Sequence, residues 1–335
     1  MAESINEKII RWDHENSTLG VNSFNEAYNF VVYLDNLLFQ NYEPTRNFNT
    51  KMFKDRFIEW LNNTTNEEQQ KVLFQLIPHI FYIGTDEFDN LFRIAFNYNI
   101  INWIIEKNNL KIDDDDLSLK VSETIQKTWF CPVSDSMRIN GFYHINQICN
   151  GIEYRPDWRS LAKFGDSQKL IEFIKTQKIE YIVLLEDFVA SGSQASETID
   201  FAIKISKQTA VKILFLPLVI CPEGEKVIEN ATSNEDSFTY SCVLKIPETS
   251  FVKYDLVYQK DHFFSKLITT IKELHELVSG SSEFDDVNDK SYGPFGFKKS
   301  GALIVLYSNC PNNTLPIIHY EHTSWKSLFP RTKRI

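Results

Sequence analysis

The chain has 335 residues, of which 43% are hydrophobic and 14% aromatic, and its formal net charge is −10. This composition predicts a well-filled core and excludes an intrinsically disordered chain. The negative charge argues against a nonspecific grip on nucleic acid, although it allows a local basic patch. There is no uninterrupted apolar stretch of about 20 residues and no basic signal peptide, and the five scattered cysteines indicate reduced thiols. We therefore predict a cytoplasmic protein without membrane contact.

The first third of the chain has apolar residues at helical spacing, which predicts helices at 23–40, 51–62, 65–77 and 85–107. Ser23 and Thr65 each precede a glutamate by three residues, as in a capping box. The four aspartates 113–116 predict a solvated turn or a helix cap rather than a calcium site, because an EF-hand loop spaces its calcium ligands on alternate residues. We predict a mainly helical N-terminal subdomain over residues 1–125, open to a winged-helix-like arrangement.

Later in the chain, short apolar runs alternate with amphipathic helices, which is the α/β pattern of a parallel sheet covered on both faces. The pattern predicts strands at 128–133, 181–185, 211–220, 240–245 and 302–307. Helices are predicted at 168–176, 194–207, 224–230 and 262–278, and the polar segment 280–290 predicts a surface loop or lid. We therefore predict an α/β domain over residues 126–335.

The motif with the clearest chemistry follows the predicted strand 181–185. Two acids, Glu186 and Asp187, come first, then a small-residue loop around Gly192 and a helix. Ligands of open α/β sheets bind beyond the carboxyl ends of the strands, so the acids are expected at the mouth of a site. Small residues and a helix N-terminus suit a phosphate, and carboxylates can accept hydrogen bonds from ribose hydroxyls or hold hydrated Mg²⁺. The alternative is a strand-to-helix connection that binds nothing.

This motif resembles the ribose-phosphate signature of the type I phosphoribosyltransferases. The resemblance implies that Glu186 and Asp187 contact the ribose hydroxyls and bind Mg²⁺, directly or through water. It assigns the 5′-phosphate to the loop residues Ala190, Ser191, Gly192, Ser193 and Gln194. Two residues depart from the usual pattern. Phe188 is bulkier than the usual aliphatic residue, and Gln194 replaces a Ser or Thr, so one phosphate hydrogen bond would come from an amide.

A second loop for a diphosphate is expected after an earlier strand. The residues after strand 128–133 include hydroxyls, a carboxylate and a cation, at Ser134, Asp135, Ser136 and Arg138. The arginine there could equally cap the next helix or pair with the aspartate. Further on, Arg155, Arg159 and Lys163 recur every four residues and would share one face of a helix. The resemblance assigns them to a flexible basic segment over the leaving diphosphate, and a solvated helix face is the alternative.

The segment 301–331 combines an apolar strand with an Asn-Thr-Leu-Pro turn at 313–316. Together with the Glu-Asp-Phe-Val sequence at 186–189, it resembles the phosphoribosyltransferase-like effector domains of bacterial conflict and antiviral defence systems, including some linked to retrons. Asn and Pro favour a structural turn, with a ligand-facing Asn as the alternative. His319 and His322 lack a third ligand in range for a zinc site.

The resemblance implies transfer or hydrolysis at the anomeric carbon of 5-phosphoribosyl diphosphate with Mg²⁺, in a toxin effector of antiviral defence. It also implies a partner, either a defence-system protein or nucleic acid. No residue is identifiable as a base for the acceptor, so the acceptor stays open. A noncatalytic sensor of a phosphoribosyl ligand, or a regulatory partner-binding module, is the main alternative. A scaffold that binds nothing is disfavoured by the intact acids and Gly192.

Overall fold

The computed structural model describes residues 3–17, 24–46, 52–149, 151–233, 235–252, 262–279 and 293–332. The helices are α1 (Ile5–Ser17), α2 (Phe24–Leu37), α3 (Glu43–Arg46), α4 (Phe53–Leu61), α5 (Glu67–Leu76), α6 (Thr85–Ile94), α7 (Ile101–Lys107), α8 (Leu117–Gln126), α9 (Ile139–Ile145), α10 (Trp158–Thr176), α11 (Ser193–Thr209), α12 (Pro222–Thr232), α13 (His262–Ser279) and α14 (Pro316–His319). A π-helical stretch, Ala95–Ile100, joins α6 to α7. The strands are β1 (Phe81–Ile83), β2 (Thr128–Pro132), β3 (Tyr181–Val189), β4 (Lys212–Ile220), β5 (Phe238–Tyr240), β6 (Leu244–Lys245) and β7 (Ile304–Leu306).

The chain forms two compact units, one of residues 1–85 with 249–335 and one of residues 86–248. This division differs from the boundary at 125/126 that the composition suggested. Helix α7 belongs with the larger sheet, because Trp103 packs edge-on against Tyr181 and donates its indole N–H to Thr239. The C-terminal strand β7 belongs with the N-terminal residues, because it pairs with β1. Apolar periodicity shows that an element buries a face, but it does not show which element covers that face.

The first unit has a core shared by the N-terminal helices and the C-terminal segment. The Trp60 indole donates to the Ile317 carbonyl at 2.6 Å, and the Tyr42 hydroxyl donates to the Pro330 carbonyl at 2.8 Å. The predicted strand 302–307 forms as β7, but it pairs in parallel with β1 in a two-stranded sheet rather than with the main sheet. Because β1 has only three residues, it is too short to produce a periodic signal.

The Asn-Asn-Thr turn of this unit is structural. A side-chain carbon on Gly296 would lie within 3.2 Å of the carbonyl oxygens of Asn312, Asn313 and Thr314. The Asn313 carbonyl accepts the Ala302 N–H at 3.2 Å. Burial lowers the pKa of His319 to about 3, and its ring is hydrogen-bonded to the Thr314 carbonyl. His319 is therefore a neutral core residue.

The start of α5 corrects the predicted cap. Asn66, not Thr65, is the N-cap residue, and its side chain accepts the N–H groups of Glu68 and Gln69 at 3.0 and 3.3 Å. An Asn side chain caps a helix as well as a Thr hydroxyl does, so the residue nearest the first turn takes the position. The predicted cap at Ser23 and the predicted loop or lid at 280–290 lie outside the described residues.

Residues 86–248 form an α/β unit around a parallel sheet of order β2-β3-β4-β5, with β6 also paired to β4. Ile182 and Leu184 face a core that includes residues of α10, α11 and α12. On the other face, Tyr181 contacts α7 and Phe130 contacts α9. The predicted α/β fold class is confirmed. The predicted strand 240–245 is divided, because the strand pattern breaks at Ser241–Val243, where the Asn99 amide bonds to Ser241 and to the Cys242 carbonyl.

In the described part of residues 3–126, β1 is the one strand, and it pairs with β7. A winged helix carries a β-hairpin, and the winged-helix-like arrangement of residues 1–125 stays a prediction. Across the described chain, none of the helices combines the length and the apolar composition that crossing a bilayer requires.

Candidate functional site

Glu186 and Asp187 lie in the part of β3 that extends beyond the end of the neighbouring strand β2. Pro132, the last residue of β2, is paired with Leu185, whereas Glu186 still pairs with Pro217 of β4. The strand therefore extends to Val189, four residues beyond its predicted end, because β4 provides a pairing partner there. Both acids are nonetheless past the end of β2. The side chains are buried, with Glu186 6% and Asp187 7% exposed.

The predicted diphosphate loop contacts the acids directly. The Ser134 N–H donates to Glu186 Oε2 at 2.9 Å, and the Ser136 hydroxyl donates to Asp187 Oδ1 at 2.9 Å. Ser134 Oγ lies 2.6 Å from Ser136 Oγ. Because Ser136 gives its one proton to Asp187, the Ser134 hydroxyl is the donor in that contact. The structure thus brings together two residues of each predicted segment in one hydrogen-bonded network.

The electrostatics of Glu186 are unusual for a carboxylate. Burial raises its pKa well above the usual range, and the charge of Asp187 raises it further. Hydrogen bonding by Ser134 and the charge of Arg159 lower the pKa, but less strongly. A buried carboxyl whose charged form is disfavoured would be stabilised by a ligand that supplies hydroxyl donors or a cation.

The predicted phosphate loop follows the acids at the N-terminus of α11. Gly192 is the N-cap residue and has a left-handed backbone, with φ of +76°. The first bond of the helix runs from the Ser196 N–H to the Gly192 carbonyl at 2.9 Å, so the amides before Ser196 are not used by helical i to i−4 bonds. Ser191 Oγ lies 3.2 Å from Ser193 Oγ. Gly192 is buried, whereas the side chains of Ser193 and Gln194 are exposed. This geometry suits an anion at the helix N-terminus.

The three cations predicted to share one helix face are not arranged in that way. Helix α10 begins at Trp158, so Arg155 lies before it. The Arg155 guanidinium donates to the carbonyls of Thr128 and Gln126, at the amino end of β2 and away from the acids. The Lys163 side chain lies outside the described part of the structure.

Arg155 instead closes the edge of the sheet. β2 is an edge strand, and its alternate carbonyls are each capped by a side chain: Thr128 by Arg155, Phe130 by the Tyr143 hydroxyl, and Pro132 by the Trp158 indole. Such capping satisfies backbone acceptors that would otherwise offer pairing to another chain.

Arg159 is the cation that the structure does associate with the acids. The Trp158 indole N–H donates to the Pro132 carbonyl at 3.1 Å, which fixes the start of α10 beside the carboxyl end of β2. Asp157 caps this helix by accepting the Arg159 N–H at 3.0 Å. Arg159 is exposed, and its charge influences Glu186. Arg159 is therefore our candidate for contact with an anionic ligand.

The two arginines lead to opposite expectations. We expect Arg155→Ala to lower the free energy of unfolding by about 1–3 kcal/mol, because it leaves edge carbonyls without donors, and to leave ligand affinity unchanged. We expect Arg159→Ala to keep the stability and to weaken diphosphate binding by about tenfold, since it removes a charged contact. Urea unfolding and calorimetric titration measure both effects. A loss of affinity confined to Arg155→Ala would refute the assignment.

The other predicted residues lie at the edge of this arrangement. Asp135 and Arg138 are exposed in the segment between β2 and α9. Arg138 occupies the N-cap position of α9, but its side chain makes no capping hydrogen bond to the helix. Within the described residues, no cluster of three or more His, Cys, Asp or Glu side chains could hold a metal ion. A cation at the acids would therefore need ligands from elsewhere.

Sequence reasoning missed two residues that shape the site. Trp158 places Arg159, and Gly224 lies against the candidate phosphate loop, with its Cα and carbonyl oxygen 3.2 Å from where a Gly192 side-chain carbon would be. Pro222 is the residue from which the position of Gly224 in its helix could have been predicted. Proline is common at the first position of a helix and would have moved the predicted start from residue 224 to 222, which puts Gly224 in the first turn.

Comparisons with known proteins identify the family of the chain. A family model described as PRTase-CE, a phosphoribosyltransferase-like effector domain, matches residues 57–331, which include β1 to β7 and every residue of the candidate site. Neither a curated protein nor a solved structure matches the chain significantly. Because the family model covers most of the chain, we conclude that this protein belongs to the PRTase-CE family.

Proposed function

We propose that the protein binds 5-phosphoribosyl diphosphate with Mg²⁺ and transfers the phosphoribosyl group, or hydrolyses the donor, at the anomeric carbon. The observation that carries the proposal is the network at the end of β2. There, buried Glu186 and Asp187 share hydrogen bonds with Ser134 and Ser136 immediately before a glycine loop at a helix N-terminus. In one ligand, the carboxylates would take the ribose, the serine hydroxyls the diphosphate and the helix N-terminus the 5′-phosphate.

The residues present fit Mg²⁺ carried by the substrate. This ion is usually held by one or two carboxylates together with substrate phosphates and water rather than by a full protein cage. Two adjacent carboxylates, one with a pKa raised by burial, supply that incomplete set. When bound, the ion would neutralise charge on the departing diphosphate.

In the proposed reaction the bond between the anomeric carbon and the diphosphate oxygen breaks, and diphosphate leaves with the electron pair. The acceptor forms the new bond at that carbon and loses a proton. Glu186 and Asp187 hold the ribose hydroxyls, the loop at 190–194 holds the 5′-phosphate, and Arg159 meets the diphosphate charge. The protein's contribution is positioning and electrostatic stabilisation of an oxocarbenium-like transition state.

A noncatalytic sensor on the same fold is favoured by one observation. Arg155, predicted to belong to a flexible basic segment, is fixed on backbone carbonyls at the opposite end of β2. A site with fewer movable cations closes less completely over a leaving group. In that case ligand binding would change the loop at Ser134 and Ser136 without turnover.

The biological role proposed for the site is that of an antiviral defence toxin whose activity depends on a partner protein or nucleic acid. The family model begins at residue 57, so α1 to α3 lie outside it. These helices are our candidate for partner binding.

Phosphorus NMR of the protein mixed with 5-phosphoribosyl diphosphate and Mg²⁺ tests the function. We expect diphosphate to appear together with ribose 5-phosphate or a phosphoribosylated acceptor when nucleic acid or cell extract is added, and we expect Asp187→Asn to abolish it. Saturable binding with no product under any of these conditions would identify the sensor. An unchanged product yield with Asp187→Asn would show that the chemistry occurs elsewhere.

A further inference from the structure

The first turn of α12 touches the backbone of the candidate phosphate loop. A side-chain carbon placed on Gly224 would lie 2.6 Å from the Ala190 carbonyl oxygen and 2.8 Å from Val189 Cγ1. Gly224 is the third residue of a regular helix and has no left-handed backbone. Glycine is therefore required here for space and not for conformation.

The contact is reciprocal. A side-chain carbon on Gly192 would meet Gly224 Cα and the Gly224 carbonyl oxygen at 3.2 Å and Val227 Cβ at 3.0 Å. Two glycines thus allow the loop and the helix to approach backbone to backbone. A loop in such contact cannot change its shape without moving α12 as well.

The first turn of α12 is also anchored to the sheet through Glu225. Glu225 accepts the Tyr240 hydroxyl at 3.1 Å and forms an ion pair with Lys245 at 2.5 Å. The Glu225 side chain is 17% exposed, so this pair is partly shielded from solvent. Strands β5 and β6 therefore hold the helix turn on which the loop rests.

We propose that Gly224 is a positioning residue that sets the conformation of the 5′-phosphate loop through its contact with Ala190 and Gly192. The inference rests on the proposed function, because that function supplies the ligand of the loop. It adds a second segment, 222–227, to the elements that determine phosphate affinity. The loop conformation itself can be measured without any ligand.

The test compares Gly224→Ala with Gly141→Ala in the full chain. Both glycines are the third residue of a helix, and a side-chain carbon on Gly141 makes only ordinary contact, 3.4 Å from Phe92 Cε2. We expect Gly224→Ala to shift the amide NMR resonances of residues 190–194 and to weaken ribose 5-phosphate binding by about tenfold or more. Affinity for inorganic diphosphate should stay unchanged, which a general loss of structure would not produce. Gly141→Ala should change none of these.

Val227→Ala provides a second variant that introduces no clash. It keeps the Cβ that lies against Gly192 and removes the two methyl groups beyond it, so we expect smaller shifts in the same amides and binding about threefold weaker. If Gly224→Ala does not fold, Val227→Ala decides the matter. Folded variants with wild-type amide shifts at 190–194 and wild-type affinity would overturn the inference. If the wild-type protein does not bind ribose 5-phosphate, the proposed function fails, while the amide shifts still test the role of Gly224.

Discussion

Glu186→Gln is expected to unfold at a higher temperature than the wild-type protein at pH 8 while binding the phosphoribosyl ligand about tenfold more weakly. The Gln amide keeps the shape of the side chain, and its oxygen can still accept the Ser134 N–H. The substitution removes a carboxyl whose pKa is raised by burial and by Asp187, so that its charged form is disfavoured in the folded state. In the complex, ribose hydroxyls and Mg²⁺ would favour the charged carboxylate, which accepts stronger hydrogen bonds than an amide, so the variant should bind more weakly.

The gain in stability should depend on pH. Below about pH 4.3, the carboxyl is protonated in both the folded and the unfolded states, so the variant has no advantage. As pH rises from there towards the raised native pKa, the native state retains a proton that the unfolded state releases, and wild-type stability falls. We expect a difference of about 1 kcal/mol at pH 8, or roughly 2–4 °C in Tm.

Circular dichroism melting curves from pH 4.5 to pH 8 measure this difference. Glu180→Gln is the matched control, because Glu180 precedes the same strand, is 51% exposed and pairs with Lys127. We expect no gain from it. A Glu186→Gln protein that melts below the wild type at pH 8 would mean that the carboxylate stabilises the fold, contrary to our account of its burial.

Gly192→Ala is expected to weaken phosphoribosyl binding by more than tenfold. An alanine with φ near +76° costs about 1–2 kcal/mol in backbone strain. Its side-chain carbon would also lie 3.0 Å from Val227 Cβ and 3.2 Å from the backbone of Gly224, so the loop must move. Displaced amides at the start of α11 would no longer converge on the phosphate.

Gly151→Ala separates these two effects. Gly151 has φ of +88°, and a side-chain carbon there would meet nothing within 4 Å. It should therefore lose stability through strain alone and keep its affinity. Calorimetric titration with ribose 5-phosphate gives both affinities. If the two alanine variants bound equally well, the shape of the loop at Gly192 would not matter for the ligand.

The acid pair and its loop were predictable because they form one local motif. The motif consists of consecutive residues: five apolar ones, two acids and a glycine loop. In the structure these residues form β3 and the start of α11 in the same order. The partners of the acids were only partly predictable. Ser134 and Ser136 were selected by their position after a strand, but sequence spacing does not show that β2 lies beside β3 and ends opposite Leu185.

Arg155 shows why the basic segment was misplaced. Spacing of four residues indicates one helix face only if the helix contains all of them. Asp157 caps α10 and Trp158 begins it, which leaves Arg155 outside. Its role depends on carbonyls 27 and 29 residues away along the chain. The split of the chain into two units has a similar cause, because β1 and β7 pair over more than 200 residues of sequence.

The most direct test of the site is calorimetric titration of the full chain with 5-phosphoribosyl diphosphate and Mg²⁺, beside Asp187→Asn and Asp200→Asn. An Asn at 187 can still accept the Ser136 hydroxyl and the Phe188 N–H, so the network is kept while the charge is lost. Asp200 is an exposed carboxylate on α11 and serves as the matched control. We predict saturable binding by the wild type and by Asp200→Asn, and binding at least tenfold weaker by Asp187→Asn. No binding by the folded wild-type protein, or equal binding by Asp187→Asn, would contradict a phosphoribosyl site at the end of β2.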